Sequence, residues 1–275
     1  MTQQKQVKKR STNWVGMLTI PVSLVVAILV YKFVFGDPSN FTAAGKPKDG
    51  NYFAIIHEGG FVVPILITLF LTVFTVVIER LITITAAKGR GSTEGFLQKV
   101  KTNLANGNIT AAIAECDSQK GSVANVVRSG LEKYSEMSRN TVLANDQKVL
   151  AIQKDMEEAT SLELPMLEKN LSILATIASI ATLMGLFGTV LGMIRAFAAL
   201  ATAGTPDPAA LSSGISEALI NTAIGIGTSA LAIIFYNIFT GMIDKLTYAI
   251  DEVGFSISQS FAARPAQSGS QVASN

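Results

Sequence analysis

Four stretches of this sequence, roughly Trp14–Phe35, Phe61–Ile84, Leu171–Leu200 and Leu211–Ile243, are continuously apolar over lengths that decide what the chain can fold into. A helix needs about 20 mostly apolar residues to cross the hydrocarbon core of a bilayer. Inside that core each backbone N–H and C=O must be satisfied within the protein, and for single segments of this length the α-helix does it. Composition agrees: of 275 residues, 49% are hydrophobic and only 15% are charged, against roughly 25% charged in a typical soluble domain. The expected fold class is all-α, an integral membrane helical protein with four transmembrane helices and a cytoplasmic helical region.

Orientation follows from lysine and arginine placement, because cytoplasmic flanks carry the excess. The run QKQVKKR precedes the first apolar stretch. That stretch exceeds the roughly 7–15 residues of a signal-peptide core, and no small-residue cleavage site follows directly, so it reads as a signal anchor. Lys5, Lys8, Lys9 and Arg10 put the N-terminus inside, and Arg80, Lys88, Arg90, Lys99 and Lys101 put the middle of the chain on the same side. The third segment then exits through ATAGTPDPAA and the fourth returns to a side marked by Lys245, so both termini are expected in the cytoplasm. The expected divisions are a basic N-terminus at 1–13, membrane helices at 14–36 and 61–84 separated by a periplasmic loop at 37–60, and a cytoplasmic helical domain at 85–169. Membrane helices at 170–200 and 211–243 follow, separated by a periplasmic loop at 201–210, with a cytoplasmic tail at 244–275.

Within 85–169, STEGFLQKVKTNLANG opens on a Ser/Thr cap and ends on Asn-Gly, and NITAAIAECDSQKG opens on Asn108 and closes on Gly121. SVANVVRSGLEKYSEM repeats apolar residues at helical spacing. A long helix is expected from near Thr141 straight into the third membrane segment, kinked only at Pro165. From Glu168 to Leu200 such a helix would span about 50 Å, more than the roughly 30 Å core, and so would project into the cytoplasm. The final stretch, SISQSFAARPAQSGSQVASN, has the polar composition of disorder.

Several chemistries are disfavoured. One cysteine, Cys116, and one histidine, His57, build neither a disulfide framework nor a conventional His/Cys metal site. The net charge of +2 and the absence of aromatic-interleaved basic patches speak against a nucleic-acid partner. The glycines at 225–227 complete no phosphate-binding pattern, and there is no P-loop, HExxH or GxSxG. No cofactor, metal or enzymatic activity is expected.

The informative residues lie inside the apolar stretches. An acidic group in a membrane helix costs on the order of 2.5–3.5 kcal/mol on insertion scales and usually faces a bundle interior or a watery cavity. On a helix, Glu217, Asn221, Gly225 and Thr228 share one stripe, and Thr222 and Ser229 share the next. The third segment carries a matching face of Thr182, Gly185, Thr189, Gly192 and Ala196. Two readings compete for these faces: close packing of small residues, with Gly188 and Gly192 as a dimerisation-type pair, and a polar conduit for protons. Counted from the outer loop, Thr189 and Thr222 reach the same level, near the midplane. Arg195 and Glu217 are shallower and level with each other, so an ion pair between them is the structural alternative to a proton pathway through Glu217, and snorkelling is the alternative for Arg195. Glu79 and Arg80 read as interfacial anchors or a mutual ion pair. A proton-uptake role for His57 and Glu58 is the lesser reading of those two residues.

LEKNLSILATIASIATLMGLFGTVLGMIRAFAAL followed by GISEALINTAIGIGTSALAIIFYNIF closely resembles the paired final membrane helices of the ExbB/TolQ/MotA proton-channel family. The ExbB and TolQ branch is the nearer, because the flagellar stator branch typically carries prolines in these two helices and both are proline-free here. The resemblance extends more weakly back to about Phe61, and Trp14–Phe35 is an extra helix beside three family core helices. It implies a pentamer around a dimer of a single-span partner of the ExbD/TolR type, whose membrane aspartate is protonated and released. It further implies that Thr189 and Thr222 face that aspartate and that Glu217 is the family's membrane carboxylate. Thr182, Gly185, Asn221, Gly225 and Thr228 are then pore-lining candidates. The implied function is a proton-channel subunit of a bacterial inner-membrane motor, set among lipid, that drives a TonB-like protein for outer-membrane import. The alternatives are a TolQ-like envelope motor, a gliding or secretion motor, and a structural scaffold in which Glu217 simply pairs with Arg195.

Overall fold

The computed structural model describes residues 13–43, 45–48, 50–202 and 208–263. Among these the regular structure is helical: α1 Asn13–Val30, α2 Tyr52–Glu58, α3 Val62–Lys88, α4 Thr93–Ala105, α5 Ile109–Gln119, α6 Gly121–Arg139, α7 Asn145–Glu168, α8 Leu171–Thr202 and α9 Pro208–Ala262. A π-helical turn at Tyr31–Phe35 extends α1, and a short 3-10 turn covers Pro38–Asn40. Four helices are long and apolar enough to cross a membrane, as the sequence predicts. Of the expected divisions, residues 1–12 of the N-terminus at 1–13, 203–207 of the loop at 201–210 and 264–275 of the tail lie outside the described residues.

The described residues divide into two compact units, one drawn from within 1–79 and 170–237, the other from within 80–169 and 238–275. In the first, α3, α8 and the start of α9 bury small or branched residues, among them Val62, Val63, Leu66, Ala181, Ala196 and Ala218. Lipid tails are as apolar as leucine, so close packing of small side chains, rather than burial from water, holds such helices together. Large side chains accordingly point out: Leu183, Leu186, Val190, Ile194 and Phe197 of α8 are all exposed. The extra helix α1 behaves alike, burying Ser23 and Ala27, one turn apart, while Val22, Val25, Ile28 and Leu29 stay exposed.

The second unit packs α4 on α5, α5 on α6 and α6 on α7. Its caps are those the sequence predicts: the Ser92 side chain accepts from the Gly95 amide at 3.3 Å, and Asn108 from the Ala111 amide at 3.1 Å. The rest of the core comes from the far end of α9, where Ile243, Leu246, Ile250, Val253, Ile257 and Phe261 are buried. Steps of three and four residues make this one continuous stripe. The polar composition of 256–275 therefore misleads at its start: 256–262 is helix, anchored by Phe261 meeting buried Tyr134 edge-on at 4.9 Å.

A second expectation is corrected. The helix from 145 does not run straight into the third membrane segment with a kink at Pro165; Pro165 lies inside α7. The break comes at Lys169 and Asn170, where Asn170 takes the left-handed conformation at φ +64°. Asparagine is among the few residues with a side chain that adopt this conformation readily. On one side of the break, buried Arg80 donates to the carbonyls of Met166 and Leu167 at 3.3 and 2.9 Å, satisfying acceptors the helix end leaves open. On the other, Asn170 donates to Glu79 at 3.2 Å. Glu79 and Arg80 are thus partners of a helix break.

Cys116 is buried, and burial pushes its thiol up to about 12. The thiolate is the reactive form, so at pH 8 only about one thiol in 10,000 is ionised, and alkylation of the folded chain is expected to be at least about 100-fold slower than after denaturation. A stopped alkylation assay with mass readout checks this.

Candidate functional site

The polar residues of the first unit gather where α8 and α9 approach most closely. Glycines make that approach possible. A Cβ on Gly225 would stand 2.6 Å from the Ala181 carbonyl oxygen and 2.9 Å from Gly185 Cα, and one on Gly192 would stand 2.7 Å from the Gly214 carbonyl oxygen. Gly188 leaves room for Asn221, whose Cγ would lie 2.6 Å from a Cβ placed there. The Gly188–Gly192 pair therefore serves packing of α8 on α9 within one chain. Gly225→Ala is expected to cost about 1–3 kcal/mol through this backbone overlap. Gly227→Ala, where nothing lies within 4 Å, is the neutral control; thermal melting in detergent separates them.

With the backbones this close, the hydroxyls meet. Thr189 and Thr222 are hydrogen-bonded to each other, with the Gly185 carbonyl 3.2 Å from the first and 3.5 Å from the second, and the Ala218 carbonyl 3.3 Å from Thr189. Both threonines are half-buried, so one side of the pair is open. About two turns further along α9, Ser229 donates to the Ala178 carbonyl. Thr182 is exposed and lies on the same α8 face as Thr189.

The stripe of Glu217, Asn221, Gly225 and Thr228 turns inward instead. All four are buried. Asn221 donates to the Gly59 carbonyl at 2.9 Å, while its own oxygen and the Thr228 hydroxyl have no hydrogen-bond partner among the described residues. Glu217 accepts two hydrogen bonds from one nitrogen of Arg195, at 2.5 and 2.7 Å. The pair is lopsided: the Glu217 side chain is 7% exposed and that of Arg195 52%. Arg195 also lies over the Phe61 ring, 5.9 Å from its centroid. The ion pair raised from depth alone is present, and the two threonines raised from depth alone are in contact.

Sequence reasoning missed what closes this region on one side. Residues 51–60, read as loop, contain the helix α2, capped by Asn51, and end in Gly59 and Gly60 against Asn221 and Glu217. Asn51 before an apolar run was the available signal. Outside the spans, burial pushes the Glu58 carboxyl up, opposed by a hydrogen bond with Ser216, and burial pushes the His57 imidazole down.

In class, this is an all-α chain whose four membrane-length helices hold a threonine pair and a bonded carboxylate between two glycine-rich helices. Residues 118–252, from the last residues of α5 through most of α9, match the MotA/TolQ/ExbB proton channel family. It is 36% identical over 124 residues to the Tol-Pal system protein TolQ of Pseudomonas aeruginosa, covering 45% of this chain and 54% of that one. It is 38% identical over 84 residues to the biopolymer transport protein ExbB of Salmonella typhimurium, covering 30% and 34%. A putative ExbB homolog of Methanothermobacter thermautotrophicus is 29% identical over 155 residues, covering 56% and 51%. The chain thus spans about half the length or less of these relatives.

Proposed function

We propose that the chain is a proton-channel subunit of a motor complex in the bacterial inner membrane, using the proton motive force to energise a TonB-like protein for outer-membrane import. The observation that carries this reading is the bonded, half-open pair of Thr189 and Thr222 on adjacent helices of a proton-channel family chain. In this reading the threonine pair faces a titrating aspartate of a single-span ExbD/TolR-like subunit, several copies of the chain, five by resemblance, surround that subunit, and Glu217 tunes access to the layer. Thr182 extends the same lining, while Gly185, Asn221, Gly225 and Thr228 hold the two helices in register. Residues 1–13, 85–169 and 244–275 lie in the cytoplasm, and 37–60 and 201–210 in the periplasm. Moving one proton through the membrane potential releases about 2.3 kcal/mol per 100 mV, so a few protons per cycle suffice for mechanical work.

A second reading, a TolQ-like envelope motor, is favoured by the similarity to a Tol-Pal system protein and uses the same site. The test common to both is proton flux into dye-loaded vesicles. Flux is expected when the chain is reconstituted with the single-span subunit that co-purifies with it, and not from the chain alone. Absence of flux from the complex sinks both readings in favour of a scaffold. Loss of siderophore-type import against loss of envelope constriction in a deletion strain then separates the two.

A further inference from the structure

The turn that extends α1 is tied to α2 by an aromatic clasp. Tyr31, in the turn that extends α1, stacks on His57 with ring centroids 4.6 Å apart and planes within 14°. The Tyr31 hydroxyl also donates to the His57 carbonyl at 3.1 Å. Phe41 meets the same imidazole edge-on at 5.5 Å, and a Cβ on Gly36 would stand 2.9 Å from His57 Nε2. Phe35 stacks on Phe53 at 5.6 Å, tying the same turn to α2 a second time. The intervening segment is held from within: Asn40 donates to the Val34 carbonyl at 2.7 Å and accepts from Asn51 at 2.9 Å.

Two residues beyond His57 the chain reaches the site. The Gly59 carbonyl accepts from Asn221 at 2.9 Å. Gly60 takes φ +72°, and a Cβ there would stand 2.6 Å from Glu217 Oε1 and 3.3 Å from Arg195 Nη1. Bare backbone is thus laid directly on the carboxylate and the amide. Such an approach is kept only if something rigid holds the turn in place, and stacked rings do so at a small cost in side-chain entropy.

We infer that Tyr31–Phe41 and Asn51–Gly60 together form a cap, in which Tyr31 and His57 are positioning residues. They hold the Gly59–Gly60 turn over the Glu217–Arg195 pair and thereby restrict access to Glu217 from that side. The inference rests on the proton-channel reading for its functional consequence, while the cap itself rests on the contacts. The His57 ring acts here as a packed aromatic surface.

Access is measured with a reporter thiol, Ser216→Cys, beside Glu217, in the full chain carrying Cys116→Ala and reconstituted in lipid vesicles with the co-purifying single-span subunit. The probe is a charged, membrane-impermeant methanethiosulfonate. Tyr31→Ala and Gly36→Val are each expected to speed labelling about tenfold by opening the cap. Tyr31→Phe, which keeps the stacked ring, and Leu24→Ala, on the exposed face of α1, are expected to change it less than about threefold. Gly36→Val acts on His57 from a different residue and decides the matter should Tyr31→Ala fail to fold. Unchanged labelling in Tyr31→Ala and Gly36→Val, or equal labelling in Tyr31→Phe and Tyr31→Ala, overturns the cap. Proton flux in the same vesicles, without the reporter, is expected to change about threefold or more in Tyr31→Ala and to stay near the parent in Tyr31→Phe. Faster labelling with unchanged flux reduces the clasp to a purely structural feature and overturns its positioning role. Absence of flux in the parent complex sinks the channel reading alone, since labelling still judges the cap.

Discussion

Thr222→Val is expected to lower partner-dependent proton flux by about 10–100-fold while leaving the complex assembled. Valine keeps the shape of threonine and removes the hydroxyl, so packing of α9 on α8 is preserved and only hydrogen-bonding capacity is lost. A hydrogen bond to a charged group is worth about 1.5–3 kcal/mol, which as a barrier difference is the fold-change stated. Thr189→Val should behave alike, because the two hydroxyls bond each other. The double variant should be little worse than either single one, since residues acting as a unit are not additive. Ser229→Ala provides the contrast: its hydroxyl bonds to the Ala178 carbonyl, and its loss should leave flux within about threefold. Vesicle flux, with co-purification of the single-span subunit as the assembly control, checks the series. Full flux in both threonine variants would remove the layer from the pathway.

Arg195→Ala is expected to destabilise the chain more than Glu217→Gln does. Removing the arginine leaves a carboxylate that is 7% exposed without its donor, whereas removing the carboxylate leaves an arginine already 52% exposed and able to reach the surface. The orphaned buried group carries the larger penalty, on the order of 1–3 kcal/mol. Pairing Arg195→Ala with Glu217→Ala should recover part of the loss, a coupling of about 0.5–3 kcal/mol in a double-variant cycle read by thermal melting. Flux adds the functional half. Under the channel reading Glu217→Gln changes proton flow even where stability is kept. Under the scaffold reading Arg195→Ala causes misassembly that Glu217→Ala suppresses, and flux never depends on the carboxylate.

Much of this site was legible before any coordinates. The depth of Thr189 and Thr222 could be counted because a membrane helix is straight, rises a constant 1.5 Å per residue and starts from a recognisable loop. The same count paired Arg195 with Glu217. What it left open was direction: one stripe of α9 holds Glu217, Asn221 and Thr228 inward, while Thr222, a single residue from Asn221, is only half-buried. A 100° step separates those fates, and which step faces in depends on where α8 and the Gly59–Gly60 turn lie.

The sequence by itself determined that this chain is helical, that four of its helices are of membrane length, and that its unusual polar groups fall at matched depths on α8 and α9. Those features follow from local chemistry: backbone hydrogen bonding without water, and a fixed helical pitch. Only the tertiary structure decided that the break near α8 falls at Asn170 and not at Pro165, that α9 continues to Ala262, and that the Gly59–Gly60 turn lies against Glu217 and Asn221. Each of these rests on contacts between residues far apart in the chain: Arg80 with Leu167, Tyr134 with Phe261, Tyr31 with His57, Gly59 with Asn221. Such pairings leave no periodicity along the sequence, so they emerge only when the helices pack.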